Sequence, residues 1–175
     1  MSTIMRLADI EMFPRHHYEV DVAWTELERT IAHHVNDERL DLSPDFQRGH
    51  VWTMEQRTAY VEYILRGGEG GKLLSFNRSG WLGNGPDGPY QIIDGLQRLT
   101  TARMFLRDEV PAFGHVFSAF VGRLRMHVGF KWRVYELPTR ADVLRHYLAM
   151  NAGGTPHPPD EIERVRLLLA AEVMR

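Results

Sequence analysis

Asp94-Gly95-Leu96-Gln97-Arg98 is the segment whose residue types and spacing best suit chemistry on a phosphate group. It follows the apolar run Tyr90-Gln91-Ile92-Ile93, which reads as a buried strand, and it leads into a helical pattern from about Gln97 to Arg107. A helix that starts directly off a strand leaves the backbone N–H groups of its first turn unpaired, and its dipole adds partial positive charge there. Gly95 has no Cβ, so an anionic group can come close to the backbone. Arg98 would add a planar two-pronged donor matched to phosphate oxygens. Asp94 could hold Mg2+ or accept a proton from an attacking hydroxyl, and Gln97 could orient a water or a phosphate oxygen. The same Asp-Gly pair also makes an ordinary tight turn, in which Arg98 is merely solvated. Residue types alone leave both readings open.

A second candidate is a basic stretch, Arg123, Arg125, His127, Lys131 and Arg133, interleaved with Phe130 and Trp132. Cations alternating with rings suit a groove that tracks phosphates and stacks bases. The competing reading is a half-buried strand with its rings inward and its charges outward, a pattern that alternation alone produces. The formal charge of −2 excludes a protein that coats DNA through a global positive field, so any nucleic-acid contact must be local.

Other chemistries find less support. The chain has no cysteine, which removes disulfides, thiolate nucleophiles and cysteine zinc sites and fits a reducing, cytoplasmic compartment. His16-His17 and His33-His34 are adjacent pairs expected to diverge, and no His-Glu-x-x-His or His-x-x-x-His spacing occurs, so a structural zinc is not expected. His50 reads as a loop residue with a solvated ring, or, through the resemblance of its segment described below, as the histidine that faces the Asp94 site. The glycines at 67, 68, 70 and 71 resemble a phosphate loop but lack a Gly-Lys-Ser/Thr ending. No apolar run approaches the ~18 residues of a membrane span, and the first residues lack the apolar core of a signal peptide.

The elements that must position these residues follow from periodicity and punctuation. A short strand is expected over 6–13, then a helix over about 22–37 with Asp21 as N-cap and Trp24, Leu27, Ile31 and Val35 on one face. Residues 42–48 read as a loop around Pro44. Thr53-Met54-Glu55-Gln56 is a capping box that opens a helix with Ala59, Tyr60, Tyr63 and Ile64 as its apolar stripe, ending at Gly67-Gly68. Strands are expected at 73–76, 90–93 and 130–137, with a turn-rich loop at 77–89 and a loop or strand at 115–122. Thr139 caps a helix over 140–150, and Pro158-Pro159 opens a last one over about 159–173. The fold class is α/β or α+β, a small mixed sheet flanked by helices. Residues 1–138 are expected to form the main domain, which the resemblance described below makes a nucleotide-handling one, and 139–175 a C-terminal helical segment packed on it.

Three segments carry a family resemblance. Ile93 to Thr101 resembles the Asp-Gly-Gln-Gln-Arg motif, followed by Leu-Thr, of the N-terminal domain family of GmrSD-type modification-dependent restriction enzymes. Pro44-Asp45-Phe46-Gln47-Arg48-Gly49-His50-Val51-Trp52 resembles that family's Pro-x-[Phe/Tyr]-Gln-Arg-x-x-x-Trp block. Asn151-Ala152-Gly153-Gly154-Thr155-Pro156, with Glu161 downstream, is similar to its late Asn-x-Gly-Gly-x-Pro block. The wording looks most like short, stand-alone bacteriophage members. The resemblance implies a fold of the ParB/sulfiredoxin type and a site for a nucleoside triphosphate (ATP, GTP or CTP) with Mg2+. It puts Asp94, Gly95, Gln97 and Arg98 at the centre, with Gln47 and Arg48 across the pocket, Thr100 and Thr101 also binding the nucleotide, and Asn151, Gly153 and Gly154 completing it. The implied function is NTP hydrolysis or phosphoryl transfer in a DNA-related process such as phage DNA modification or restriction. A kinase acting on a hydroxymethylated base is one version; DNA would be met through Arg123, Arg125, Lys131 and Arg133, and a homodimer is left open. Leu96 replaces the motif's first glutamine, which keeps alive a non-catalytic reader of modified DNA or of a partner protein. The sequence carries no His-Asn-His nuclease pattern, so metal-dependent DNA cleavage ranks last.

Overall fold

The computed structural model describes residues 17–47, 52–81, 88–151 and 159–174. The strand expected over 6–13 lies outside them. Four strands form one mixed sheet: β1 (His17–Ala23), β2 (Leu73–Arg78), β3 (Tyr90–Asp94) and β4 (Gly129–Tyr135), in the order β1-β4-β2-β3. β1 pairs antiparallel with β4, β4 parallel with β2, and β2 antiparallel with β3. Five helices surround it: α1 (Leu27–Glu38), α2 (Met54–Leu65), α3 (Leu96–Leu106), α4 (Arg140–Asn151) and α5 (Pro159–Val173). The fold class is α/β, with a small mixed sheet flanked by helices.

Because successive strand residues point to opposite faces, β3 and β4 each feed two cores. Leu74, Phe76, Tyr90, Ile92, Phe130, Trp132 and Val134 pack on one face with Trp24, Leu27 and Ile31, Val61 and Ile64, and Leu99, Ala102 and Phe105, which brings α1, α2 and α3 together there. Ile93 and Tyr135, one residue out of phase, join Phe46 with Val143, Leu144 and Tyr147 of α4 and Val165 of α5 on the other. The outer side of β3 is also covered. Asp41 N–H donates to Tyr90 O at 2.8 Å, and Ile92 N–H donates to Asp41 O at 3.0 Å.

Three expectations need correction. Residues 17–23 are a strand, so Asp21 sits in β1 opposite Lys131 and caps no helix. The alternation Tyr18, Val20, Val22 carries the two-residue period, and pairing with β4 captures the segment before helix can begin. Val35 is exposed, so the buried stripe of α1 is Leu27 and Ile31, joined by Trp24 just ahead of the helix. On α2 the buried face is Arg57, Val61 and Ile64, while Ala59 and Tyr63 face solvent. The capping box stands as read: Gln56 N–H donates to Thr53 Oγ1 at 3.3 Å, and Thr53 N–H donates to Gln56 Oε1 at 2.9 Å. Thr139 likewise caps α4, accepting from Asp142 N–H at 3.1 Å.

Candidate functional site

β3 delivers Asp94 to the end of the sheet, with its side chain 40% exposed, and α3 starts two residues later. Gly95 between them takes φ 100°, in the left-handed region. A Cβ built there would stand 2.4 Å from Leu74 Cδ2 and 3.4 Å from Leu74 Cα, so no side chain fits between the turn and β2. The same glycine leaves α3 without a side-chain N-cap, and no acidic residue occupies the first turn. Among the described residues no side chain caps its first turn, an arrangement that suits an anion.

Arg98 lies on that first turn, four residues after Asp94, and its Nη2 donates to Asp94 Oδ2. The backbone at Gly71 walls the guanidinium: a Cβ there would sit 3.3 Å from the Tyr60 ring and 3.5 Å from Arg98 Cδ. Tyr60 OH donates to Gly71 O at 3.0 Å, and Trp52 meets the Tyr60 ring edge-on at 5.3 Å. Burial pushes the Tyr60 phenol above its ordinary range, with the Arg98 charge pulling the other way. Tyr60 and Gly71 carry no motif, and only the glycine-rich character of 67–71 signalled that backbone would approach here.

Gln97 is 8% exposed and turned inward, where its Oε1 accepts from Trp52 N–H at 3.3 Å. It links the two motif blocks through this hydrogen bond. Gln47 reaches the same strand end, its Nε2 donating to Ile92 O at 3.3 Å and also to Ile93 O. Its segment is clamped from the C-terminal helices. Arg164 donates to Phe46 O at 3.0 Å and to Asp45 O, and Arg140 donates to Asp45 Oδ1 at 2.9 Å. Arg48 and His50 lie outside the described residues.

Thr100 is half-buried, and Thr101 is fully buried with its Oγ1 accepting from Arg57 Nη1 at 3.1 Å. Helical geometry turns Thr101 toward α2 and away from solvent, so it cannot meet a nucleotide. Asn151 closes α4, its Nδ2 donating to Tyr147 O at 2.7 Å. Glu161 is buried and accepts from Tyr147 OH at 3.0 Å. These contacts tie Asn151 and Glu161 to the α4–α5 packing; Gly153 and Gly154 lie outside the described residues.

The basic stretch divides. Phe130 and Trp132 are each 2% exposed, with Trp132 stacked on Phe76 at 4.3 Å, so neither ring can stack a base. Arg133 Nε donates to Glu19 at 2.7 Å, and Lys131 Nζ lies 3.3 Å from Glu19 and 3.5 Å from Asp21. Those hydrogen bonds from Arg133 and Lys131 hold the Glu19 carboxyl below its ordinary range. Arg123 and Arg125 are exposed in the loop before β4.

The His33-His34 pair also differs from expectation, while His16 lies outside the described residues. The rings of His33 and His34 stand 5.3 Å apart, and one ligand atom each of His33, His34 and Glu38 lie within 4.8 Å of one another. Each histidine is turned toward the acid four residues on: His33 Nδ1 meets Asp37 at 2.7 Å and His34 Nδ1 meets Glu38, which also accepts from Arg78 at 2.7 Å.

The structure is thus a mixed α/β domain in which a helix N-terminus without a side-chain cap, an Asp–Arg pair and two motif blocks meet at one strand end. The model of the GmrSD restriction endonuclease N-terminal domain matches residues 31–146, and the chain belongs to that family. The first two motif blocks fall inside this span and the Asn151 block beyond it. No curated protein and no solved structure matches the chain. The family ties the protein to modification-dependent restriction, and so to DNA. Among the described residues no helix is long and apolar enough to cross a membrane.

Proposed function

We propose that this protein binds a nucleoside triphosphate at the Asp94–Arg98 turn and uses it, by hydrolysis or phosphoryl transfer, in the restriction of modified DNA. The observation that carries the reading is convergence. Gln47 and Trp52 each make hydrogen bonds across 45 residues of sequence to the β3–α3 corner, around an open helix N-terminus. In this proposal the first-turn N–H groups receive phosphate oxygens, since backbone donors and the dipole act together there. Arg98 exchanges its Asp94 partner for phosphate, a better match to its two-pronged geometry. That exchange frees Asp94 to accept a proton from the attacking hydroxyl or water. Mg2+ fits the donor set: it is commonly held by one or two carboxylates plus substrate phosphates, and Asp94 Oδ1 stays clear of the Arg98 bond. Asp94 would hold the ion, which would neutralise charge developing on the phosphates.

Calorimetry with ATP, GTP and CTP in Mg2+ tests the site. Arg98→Ala should weaken binding about tenfold or more, the ~1.5–3 kcal/mol of a charged hydrogen bond. Equal affinity in the variant and the parent would overturn the assignment. Asp94→Asn should abolish phosphate release or transfer while largely sparing nucleotide binding.

One observation favours a second reading, a reader without turnover. Gln97 is committed to Trp52, and Leu96 stands where the family motif carries its first glutamine, so the turn has no free amide to position a water. A parent protein that binds nucleotide but releases no phosphate, with or without modified DNA, selects the reader.

A further inference from the structure

The connection between α3 and β4 gathers apolar side chains that the core leaves out. Val121 is fully exposed and Met126 is 93% exposed, and Phe113, Val116 and Phe120 of the same connection are exposed as well. So many exposed apolar side chains in one connection of a small domain mark a contact surface. Its base is fixed. The Phe117 and Phe120 rings pack on Phe105 at 5.2 and 6.2 Å, Ser118 N–H donates to Asp108 Oδ1 at 2.8 Å, and Phe113 N–H donates to Glu62 Oε1 at 2.7 Å. Leu124 packs against the main core, so Arg123 and Arg125 on either side of it face outward. Among the described residues neither guanidinium makes a hydrogen bond or an ion pair, and Arg125 is engaged only through its backbone carbonyl, which accepts from Val128 N–H at 2.9 Å. Lys131 and Arg133, a few residues on, are already matched by Glu19 and Asp21. The uncompensated positive charge of the stretch is therefore concentrated beside its most exposed apolar tips.

We infer that this loop is a wedge for double-stranded DNA, with Arg123 and Arg125 on backbone phosphates and Val121 and Met126 pressed between neighbouring base pairs. Apolar side chains flanked by arginines are the means by which proteins unstack a base step and hold it open: the arginines bind the backbone, and the burial of the tips offsets the lost stacking. A pinned base suits this role, because a floppy loop would spend the gain on ordering itself. The inference rests on the DNA side of the proposed function and is independent of the nucleotide site.

The test combines fluorescence anisotropy of labelled duplexes over a salt series with the emission of 2-aminopurine placed within the duplex. The parent should bind duplex DNA and raise 2-aminopurine emission as the base unstacks. Arg123→Gln with Arg125→Gln should flatten the log K against log salt slope by up to about 2 units, at ~0.9 per phosphate contact. Val121→Ser with Met126→Ser should keep that slope and lose the 2-aminopurine signal. All four positions are exposed, so both double variants should keep their folding midpoint. A parent that leaves 2-aminopurine dark, or double variants that behave as the parent, would overturn the wedge. So would sedimentation showing that the serine variant breaks a dimer, because the apolar tips would then serve a protein interface. Calorimetry with nucleotide on the same proteins should show unchanged affinity. Loss of nucleotide binding in every protein, the parent included, would count against the Asp94 site and leave the wedge standing.

Discussion

The Asp94–Arg98 turn and the loop over 120–128 both carry arginines beside a glycine with positive φ, yet they use them in opposite ways. At the turn, Gly95 is wedged against Leu74 and Arg98 is held by Asp94 with most of its side chain covered. In the loop, Gly122 has φ 109° with nothing within 4 Å of where its Cβ would stand, and Arg123 and Arg125 face solvent. The turn is a built corner whose Asp94 and Arg98 charges balance each other. The loop is an open one whose charges are already available. A cation's position in the chain says little about its readiness to bind; the carboxylate beside it says more.

Gly95→Ala should break the corner with the largest effect. The left-handed backbone costs a Cβ-bearing residue about 1–2 kcal/mol, and forcing a methyl into the Leu74 contact costs roughly another 1–3 kcal/mol. Urea denaturation should therefore show a loss of about 2–5 kcal/mol. A loss under about 1 kcal/mol would mean that the turn repacks freely and is not the rigid corner described. Gly122→Ala sharpens the contrast, because it meets the backbone cost without the clash and should lose only about 1–2 kcal/mol. Similar losses at the two glycines would erase the distinction between corner and loop. The smallest effect belongs to Lys131→Gln. Its ammonium is already paired with Glu19 and Asp21, so neither the folding midpoint nor the salt slope of DNA binding should move measurably. A slope reduced as far as by a single loop arginine would show that these ion pairs open onto DNA.

Family membership and the two motif blocks were legible because they are local words, and the structure joins them where their shared motif suggests. Trp52 and Gln97 were legible only as members of those words. That one supports the other by a hydrogen bond between segments 45 residues apart has no sequence signal. Thr101 shows the same limit. Read beside Thr100 it belongs to the motif, but one step along a helix rotates a side chain by about 100°, enough to turn it from half-buried Thr100's side toward buried Arg57.

What the sequence determined by itself is what hydrogen bonds within a few residues decide. The Thr53–Gln56 box starts α2, Thr139 starts α4, the apolar run of β3 ends at Asp94, and a glycine turns the chain into α3. What tertiary structure alone decided is which side chains the folded molecule leaves with unmet needs. β1 exists because β4 offers it a partner, and Glu19, brought opposite Arg133 across 114 residues, takes that cation out of play. Phe130 and Trp132 enter the core because one face of β4 packs on α1, while the loop just before them keeps Val121, Arg123, Arg125 and Met126 outside. Composition and spacing count charges and rings, but their availability is a balance of burial and pairing that exists only once distant segments have met.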